Sequence, residues 1–331
     1  MSGMPWSDIE VADAQALSWE DFHEKWPERP WDGWRYKARM IRTGKVAVVA
    51  APSPLAEEAN PERLFRIAVE MQRELEKIGR PADVVDCRID TDAPIGVAFL
   101  SDGHIGEIGT DLELMDADFH AIARHPRLYA YVGGDMAHNF ILSTMSHFGT
   151  MDNSAIPPRA QRILYERFLA IIEGSVVAIG TGNHDFWTQH QADIDTVAEI
   201  AKKYNLVYTG HGGLVNLKVG AQTYRIYRRH RYRCNSTLNL CHVVKALWRL
   251  GPRDFDVGVV EHGHVPALET FTGFGQEKIA IRTGTYLTRS AFAAEIGADW
   301  RYGTPVVVFH PDEWRMVPFK SIRDAMLYLG E

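Results

Sequence analysis

The sequence predicts an α/β protein, and three observations point to it. Short apolar runs recur from about residue 93, and each ends in a cluster of Asp, His, Asn or Gly: GVAFL before SDGH, LYAYV before GGD, VVAIG before TGNHD, and VGVV before EHGH. Stretches with helical periodicity lie between these runs, at 112–124 and 159–173. The chain of 331 residues, at roughly 150 residues per domain, has room for two domains or one large domain with an appendage. Strands that alternate with helices build sheets whose ligands gather where the strands run out into loops.

Taken in order, the first 43 residues read differently from the rest. Five of the nine tryptophans (Trp6, Trp19, Trp26, Trp31, Trp34) fall within the first 34 positions. Ser18 with Asp21 supplies an N-cap for a short helix from Trp19, which Pro27 and Pro30 interrupt. A second helix is expected over 31–42. Two readings stand for this region: an arm packed on the main body by its aromatics, or a helix-turn-helix-like module. A stronger helix follows at 61–78, with Asn60 as cap and Pro61 at the first helical position. Leu64, Ile67, Met71, Leu75 and Ile78 recur every three or four residues and Gly79 follows as a stop, so this helix is expected to pack into a core.

Beyond the strand–loop–helix repeats, the last third turns β-rich. Strands are expected at 213–219, 222–232, 267–272, 278–286 and 304–310, and a closing helix at 321–329. No internal repeat or low-complexity tract is present. The expected organisation is therefore a helical, aromatic-rich N-terminal appendage over 1–92 and a larger α/β domain over 93–331.

Composition narrows the function classes. Hydrophobic residues are 46% and charged residues 24%, ordinary for a globular protein that buries a core without disulfides. The net charge of −7 gives no global basic field to attract a polyanion, so a nucleic-acid contact would need a local patch. Apolar stretches such as Val46–Pro52 fall far short of the ~18 residues of a membrane span. No charged-then-apolar leader opens the sequence. Cys87, Cys234 and Cys241 form no C-x-x-C pair, which argues against a disulfide framework and a cysteine-based zinc site. A reduced, cytoplasmic compartment is the expectation.

Chemistry concentrates in five segments: Asp102-Gly103-His104; Gly134-Asp135; Gly182-Asn183-His184-Asp185; His230; and His262-Gly263-His264. Carboxylate, amide and imidazole are the donors that Zn, Fe and Mn sites use. Asp102 and His104 are two apart, as are His262 and His264, so each pair can project to one side of a strand end. A lone histidine on a strand is usually structural; five such segments, four of them with a glycine, point to a metal.

The order of these blocks resembles the calcineurin-like metallophosphoesterase family: SDGH (101–104), GGDMAH (133–138), TGNHD (181–185), RRHRY (228–232) and EHGH (261–264). The match spans about 95 to 290. The resemblance implies a four-layer α/β/β/α sandwich and two divalent metal ions, Mn favoured, with Fe, Zn or Ni as alternatives. Position by position, it implies that Asp102, His104 and His264 hold one metal, that Asn183, His230 and His262 hold the other, and that Asp135 bridges them. A metal-bridging hydroxide would then attack phosphorus, and His184 would protonate the leaving group. The alternative for His184 is a residue that only orients its loop.

Two departures from the family pattern matter. His138 and Asn139 stand where many members have Asp and then a phosphate-binding Arg. A G-D-x-x-H block is similar to the nuclease branch of the family, which makes His138 a second catalytic candidate and Asn139 a candidate substrate contact; the plain alternative for His138 is loop packing. Glu261 replaces the usual Gly before the first His of the last block, either to orient a ligand histidine or to repel a phosphate. The segment Tyr224 to Arg233 (YRIYRRHRYR) carries five arginines and three tyrosines around His230. As a strand it would put Arg228, His230 and Tyr232 on one face, where Arg228 would contact an anionic substrate; the alternative is a charged edge strand. Asn235, Ser236 and Asn239 are expected along the same cleft. The expected activity is hydrolysis of a phosphodiester in a nucleotide or nucleic acid. Its rivals are a phosphomonoesterase, a non-catalytic scaffold and a DNA-binding regulator.

Overall fold

The computed structural model describes residues 7–29, 34, 61–77, 84–140, 156–251 and 254–330. It divides into two compact units, Met1–Lys77 and Ile78–Glu331. The expected helix at 31–42, Asn60, Ile78 and Gly79 lie outside the described residues, apart from Trp34.

In the first unit, Ser7 and Glu10 form a reciprocal capping box that opens α1 (Asp8–Ala16). The Ser18 hydroxyl accepts the Asp21 N–H at 3.3 Å and opens α2 (Trp19–Lys25), as the sequence predicts. Ala14, Phe22 and Trp34 are buried with Leu17, Trp19 and Trp26 around them, so the aromatics build a small core of their own. The Trp26 indole N–H donates to Asp13 Oδ2 at 2.9 Å, which satisfies the polar edge of a half-buried ring. The helix predicted over 61–78 is present as α3 (Pro61–Lys77). Its packing differs from the expectation: Leu64, Ile67 and Met71 are 54, 43 and 59% exposed. Periodicity specifies the helix, whereas burial needs a partner that the described residues do not supply.

The Arg29 guanidinium, 2.6 Å from Glu10 and nearly as buried, holds the Glu10 carboxyl at about 2 against an ordinary 4.5. A depressed carboxyl stabilises the fold fully above pH 4.5 and loses that contribution as the pH falls towards 2. Glu10→Gln is therefore expected to lower the thermal midpoint, followed by tryptophan fluorescence, at pH 7. The difference from wild type should shrink steadily below pH 4.5.

The second unit holds two sheets. One has six strands in the order β1 (Val84–Ile89), β5 (Gly212–Val219), β6 (Gln222–Arg229), β7 (Val257–Val260), β9 (Gln276–Arg282), β8 (Ala267–Gly273). The other has five, in the order β11 (Met316–Phe319), β10 (Val306–Phe309), β2 (Ile95–Leu100), β3 (Leu128–Val132), β4 (Val176–Ile179). β2, β3 and β4 are parallel, as are β6, β7 and β9, which sends their carboxyl ends the same way within each sheet.

The sheets face each other across a core that includes Val97, Phe99, Tyr131, Leu217, Ile226 and Val257. On the outer face of the five-stranded sheet, α4 (Leu112–Arg124), α5 (Pro158–Ile171) and α8 (Ile322–Leu329) bury Phe119, Phe168 and Leu329. On the six-stranded sheet, α7 (His242–Leu250) buries Val244 and Leu247 against Leu214 and Ala280. The expected α/β/β/α layering is thus present. β2 is buried at all six positions, which is why it reads as a continuous apolar run rather than an alternating one.

Three boundaries differ from the sequence reading. β1 pairs in parallel with β5, so residues 84–92 belong with the sheets and the division falls after Lys77 rather than after 92. The strand expected over 222–232 stops at Arg229, and that over 278–286 stops at Arg282. In each case the residues beyond leave the ladder to enter the site. No helix among the described residues is long and apolar enough to cross a membrane.

Candidate metal centre

Every expected ligand follows the carboxyl end of a strand: Asp102 and His104 after β2, Asp135 after β3, Asn183 after β4, His230 after β6, and His262 and His264 after β7. Five of them turn through left-handed backbone: Asp102, His104, Asp135, His262 and His264 have φ of 51°, 45°, 57°, 67° and 54°. Such conformations cost ~1–3 kcal/mol each for residues with a Cβ and persist only where their surroundings hold them.

Here hydrogen bonds between loops do so. The Asp102 N–H donates to the Gly134 carbonyl at 2.9 Å and the His104 N–H to the Asp135 carbonyl at 3.0 Å. The His184 N–H donates to Asp135 Oδ1 at 2.8 Å, and the His262 N–H to Asp102 Oδ2 at 3.2 Å. Asn183 opens α6 (Asn183–Ala192), capped by Asp185, whose carboxylate accepts the N–H groups of both Gly182 and Asp135.

The side chains converge in three overlapping groups, Asp102–His104–His264, Asp102–Asp135–His230–His262 and His104–His138–His184. His104 Nε2 lies 3.2 Å from His264 Nε2, which lies 3.2 Å from Asp102 Oδ1. His230 Nε2 lies 3.0 Å from Asp135 Oδ2 and 3.1 Å from Asn183 Oδ1. Donor atoms about 2.1 Å from a shared cation stand about 3.0 Å apart at octahedral angles and about 3.4 Å at tetrahedral ones. The observed spacings fall in that interval. Asp135 Oδ2 and His262 Nδ1 are buried without a satisfied hydrogen bond, so acceptors stand open beside the converging donors. The residues fit a metal.

Electrostatics agree. Burial alone would lower the His230 pKa, but the Asp135 and Glu261 carboxylates override it and push it up to about 10, which marks a site that favours positive charge; a metal ion there would take the place of that proton. Burial, reinforced by the Asp135 charge, pushes Asp185 up to about 7.

Glu261 resolves into the orienting role. Its Oε2 accepts from His230 Nδ1 and from the Gly134 N–H, both at 3.0 Å, which leaves His230 Nε2 as the atom facing the centre. Arg228 is corrected. Rather than contacting substrate, its guanidinium is fully buried and clamps Glu261 through Nε at 2.7 Å and through Nη2, while Nη1 donates to the Gly210 carbonyl and Nη2 also to that of Thr181. Asn139 is corrected too: it braces the His184 loop, its amide donating to the His184 carbonyl at 2.7 Å and to Thr188 Oγ1 at 2.9 Å.

His138 is buried, with Nδ1 3.3 Å from Glu107 Oε2, and its ring centroid lies 5.3 Å from that of His184. His184 Nδ1 donates to the His138 carbonyl at 2.6 Å. Sequence reasoning named Asp185 within the GNHD block but gave it no role. It missed Glu107, and Ser101, whose hydroxyl donates to Asp102 Oδ2; no local pattern marks either.

No protein-family model and no curated protein matches the chain. Among solved structures, the chain is similar to vacuolar protein sorting 29 from Cryptosporidium parvum, at 13% identity over 70% of this chain and 100% of that one, with a TM-score of 0.39. It is also similar to a hypothetical protein from Thermus thermophilus, at 14% identity over 69% of this chain and 100% of that one, TM-score 0.37. A third is the sulfate thiohydrolase SoxB of Thermus thermophilus in complex with glycerol, at 8% identity over 71% of this chain and 58% of that one, TM-score 0.37. What this chain carries at its strand ends is a buried His/Asp/Asn centre whose donor atoms are spaced to hold metal.

Proposed function

We propose that the protein is a metal-dependent phosphoesterase that hydrolyses a phosphodiester in a nucleotide or nucleic acid. The observation that carries the reading is the convergence of donor atoms at 3.0–3.2 Å around His230 Nε2 and His264 Nε2. In this reading Asp102, His104 and His264 hold one divalent cation, Asn183, His230 and His262 hold a second, and Asp135 serves both. Mn²⁺ is favoured, and Fe²⁺, Zn²⁺ and Ni²⁺ suit the same donors. When bound, such cations neutralise charge on phosphate oxygens and make coordinated water acidic.

The chain's own residues do the rest. His184 commits Nδ1–H to the His138 carbonyl, so it is the imidazolium, a form that burial disfavours, that hands its Nε2 proton to the leaving oxygen and is left neutral with the Nδ1–H in place. His138 stands beside it, held against Glu107, to assist that transfer. Phe140 and Trp187 pack with His184, the Trp187 ring at 4.1 Å between centroids, and offer the apolar faces that a nucleobase stacks on.

The test is metal-stripped protein reloaded with Mn²⁺ and assayed on bis-p-nitrophenyl phosphate. Activity is expected to vanish in Asp135→Ala together with metal content. His184→Ala should keep its metal and lose ~10²–10⁴ in kcat. Faster turnover of p-nitrophenyl phosphate than of the diester would overturn the diester reading, and no turnover by metal-loaded protein would overturn the enzyme.

A further inference from the structure

A pocket of about 460 Å³ opens beside the ligand loop His262–His264, walled by segments 235–240, 263–265 and 297–301 and by Arg282. Arg282, the last residue of β9, is only 4% exposed. Its Nη1 donates to Asn235 Oδ1 at 3.1 Å and to the Leu240 carbonyl at 3.5 Å, while its Nε is buried with no partner. Its Nη2 lies against Gly263, where a Cβ would stand 1.4 Å away, so the glycine between two ligand histidines is what lets the guanidinium through.

The contrast with Arg228 is direct. That buried guanidinium has Glu261; Arg282 has no carboxylate in ion-pair contact among the described residues. Burying an uncompensated cation is costly, and burial lowers the Arg282 pKa. The other charged side chains on the wall, Asp299 and Arg301, pair with each other, Nε to Oδ2 at 2.8 Å. Asn235, Ser236 and Thr237 add polar groups at the rim. The wall is continuous with the metal centre, because the Trp300 ring meets that of His264 edge-on at 4.2 Å. A cavity with a buried, charge-unpaired guanidinium, an amide and a hydroxyl rim suits a tetrahedral oxyanion.

We propose that this pocket is a phosphate subsite, which takes a phosphate group of the substrate other than the one at the metal centre. What that phosphate is attached to rests on the phosphodiester reading; that the pocket binds a phosphate does not.

The experiment uses metal-stripped, full-length protein, so binding is read apart from catalysis. Two probes are titrated: a fluorescein-labelled eight-residue oligothymidylate without terminal phosphates, by anisotropy, and inorganic phosphate, by calorimetry. Arg282→Gln and Thr237→Asp are each expected to weaken binding at least ~5-fold. Arg282→Gln should also reduce the salt slope for the oligonucleotide by about 0.7. Thr237 is exposed, so Thr237→Asp decides the matter if Arg282→Gln does not fold.

Weakening for the oligonucleotide alone assigns the subsite to an internucleotide phosphate; weakening for both probes assigns it to any phosphate, free or terminal. Binding within twofold of wild type in both variants, or no binding by wild type, overturns the proposal. Weakened binding by a protein that hydrolyses no diester leaves the subsite standing and removes the phosphodiesterase reading.

Discussion

Glu261→Ala is expected to destabilise the metal-free protein by about 3–5 kcal/mol, because it strands the fully buried Arg228 guanidinium without its carboxylate. Urea denaturation in the presence of chelator measures this. The same variant should lose ~10–100-fold in metal affinity, since His230 Nδ1 loses the acceptor that fixes its ring. The two effects are separable. Arg228→Met/Glu261→Met removes both charges from the interior and should recover much of the lost stability. It restores no acceptor for His230 or for the Gly134 N–H, so metal affinity should stay low. Recovery of both together would mean that Glu261 acts only as a counter-charge. The surroundings are built for the pair: a Cβ on Gly133 would stand 2.1 Å from Glu261 Oε1, and one on Gly180 2.1 Å from Arg228 Nη1.

Gly134→Ala is expected to abolish metal binding while the sheets stay folded. A Cβ there would meet the backbone of the neighbouring loop, 2.3 Å from Gly182 N and 2.4 Å from its Cα. Backbone cannot step aside as a flexible side-chain end can. The loops carrying Asp135 and Asn183 must therefore separate, and the His184 N–H contact to Asp135 Oδ1 at 2.8 Å goes with them. Metal content after reloading should fall below a tenth of wild type, with far-ultraviolet circular dichroism unchanged. Normal metal content would show that the close approach of these loops is not required.

Much of the second unit was legible because its strands are short, apolar and cut off by Asp, His and Gly. The runs GVAFL, LYAYV and VGVV became β2, β3 and β7, and the helices at 112–124 and near 159–173 lie where periodicity put them. β1 was not legible: its residues alternate between exposed and half-buried, so the sequence carries little apolar signal, and only pairing with β5 defines it. α3 shows the converse, a helix whose period is plain and whose apolar side finds no core among the described residues.

The sequence by itself determined where the candidate donors lie. The blocks that hold Asp102, His104, Asp135, Asn183, His262 and His264 stand out because such chemistry, beside glycine and after an apolar run, is a local property of the chain; His230, among arginines, and the choice of one candidate ligand over its neighbours came from the family resemblance. Tertiary structure alone decided which charged and polar groups stand behind them. Arg228 and Glu261 are 33 residues apart, and Asn139 and the His184 carbonyl 45 apart. Nothing in a linear segment separates an arginine that clamps a buried glutamate from one that faces a ligand. That depends on whether a carboxylate from another strand reaches it, as Glu261 reaches Arg228 and none among the described residues reaches Arg282. In a buried site the partner sets the energy of a charge, and partners are chosen by the packing of the sheets.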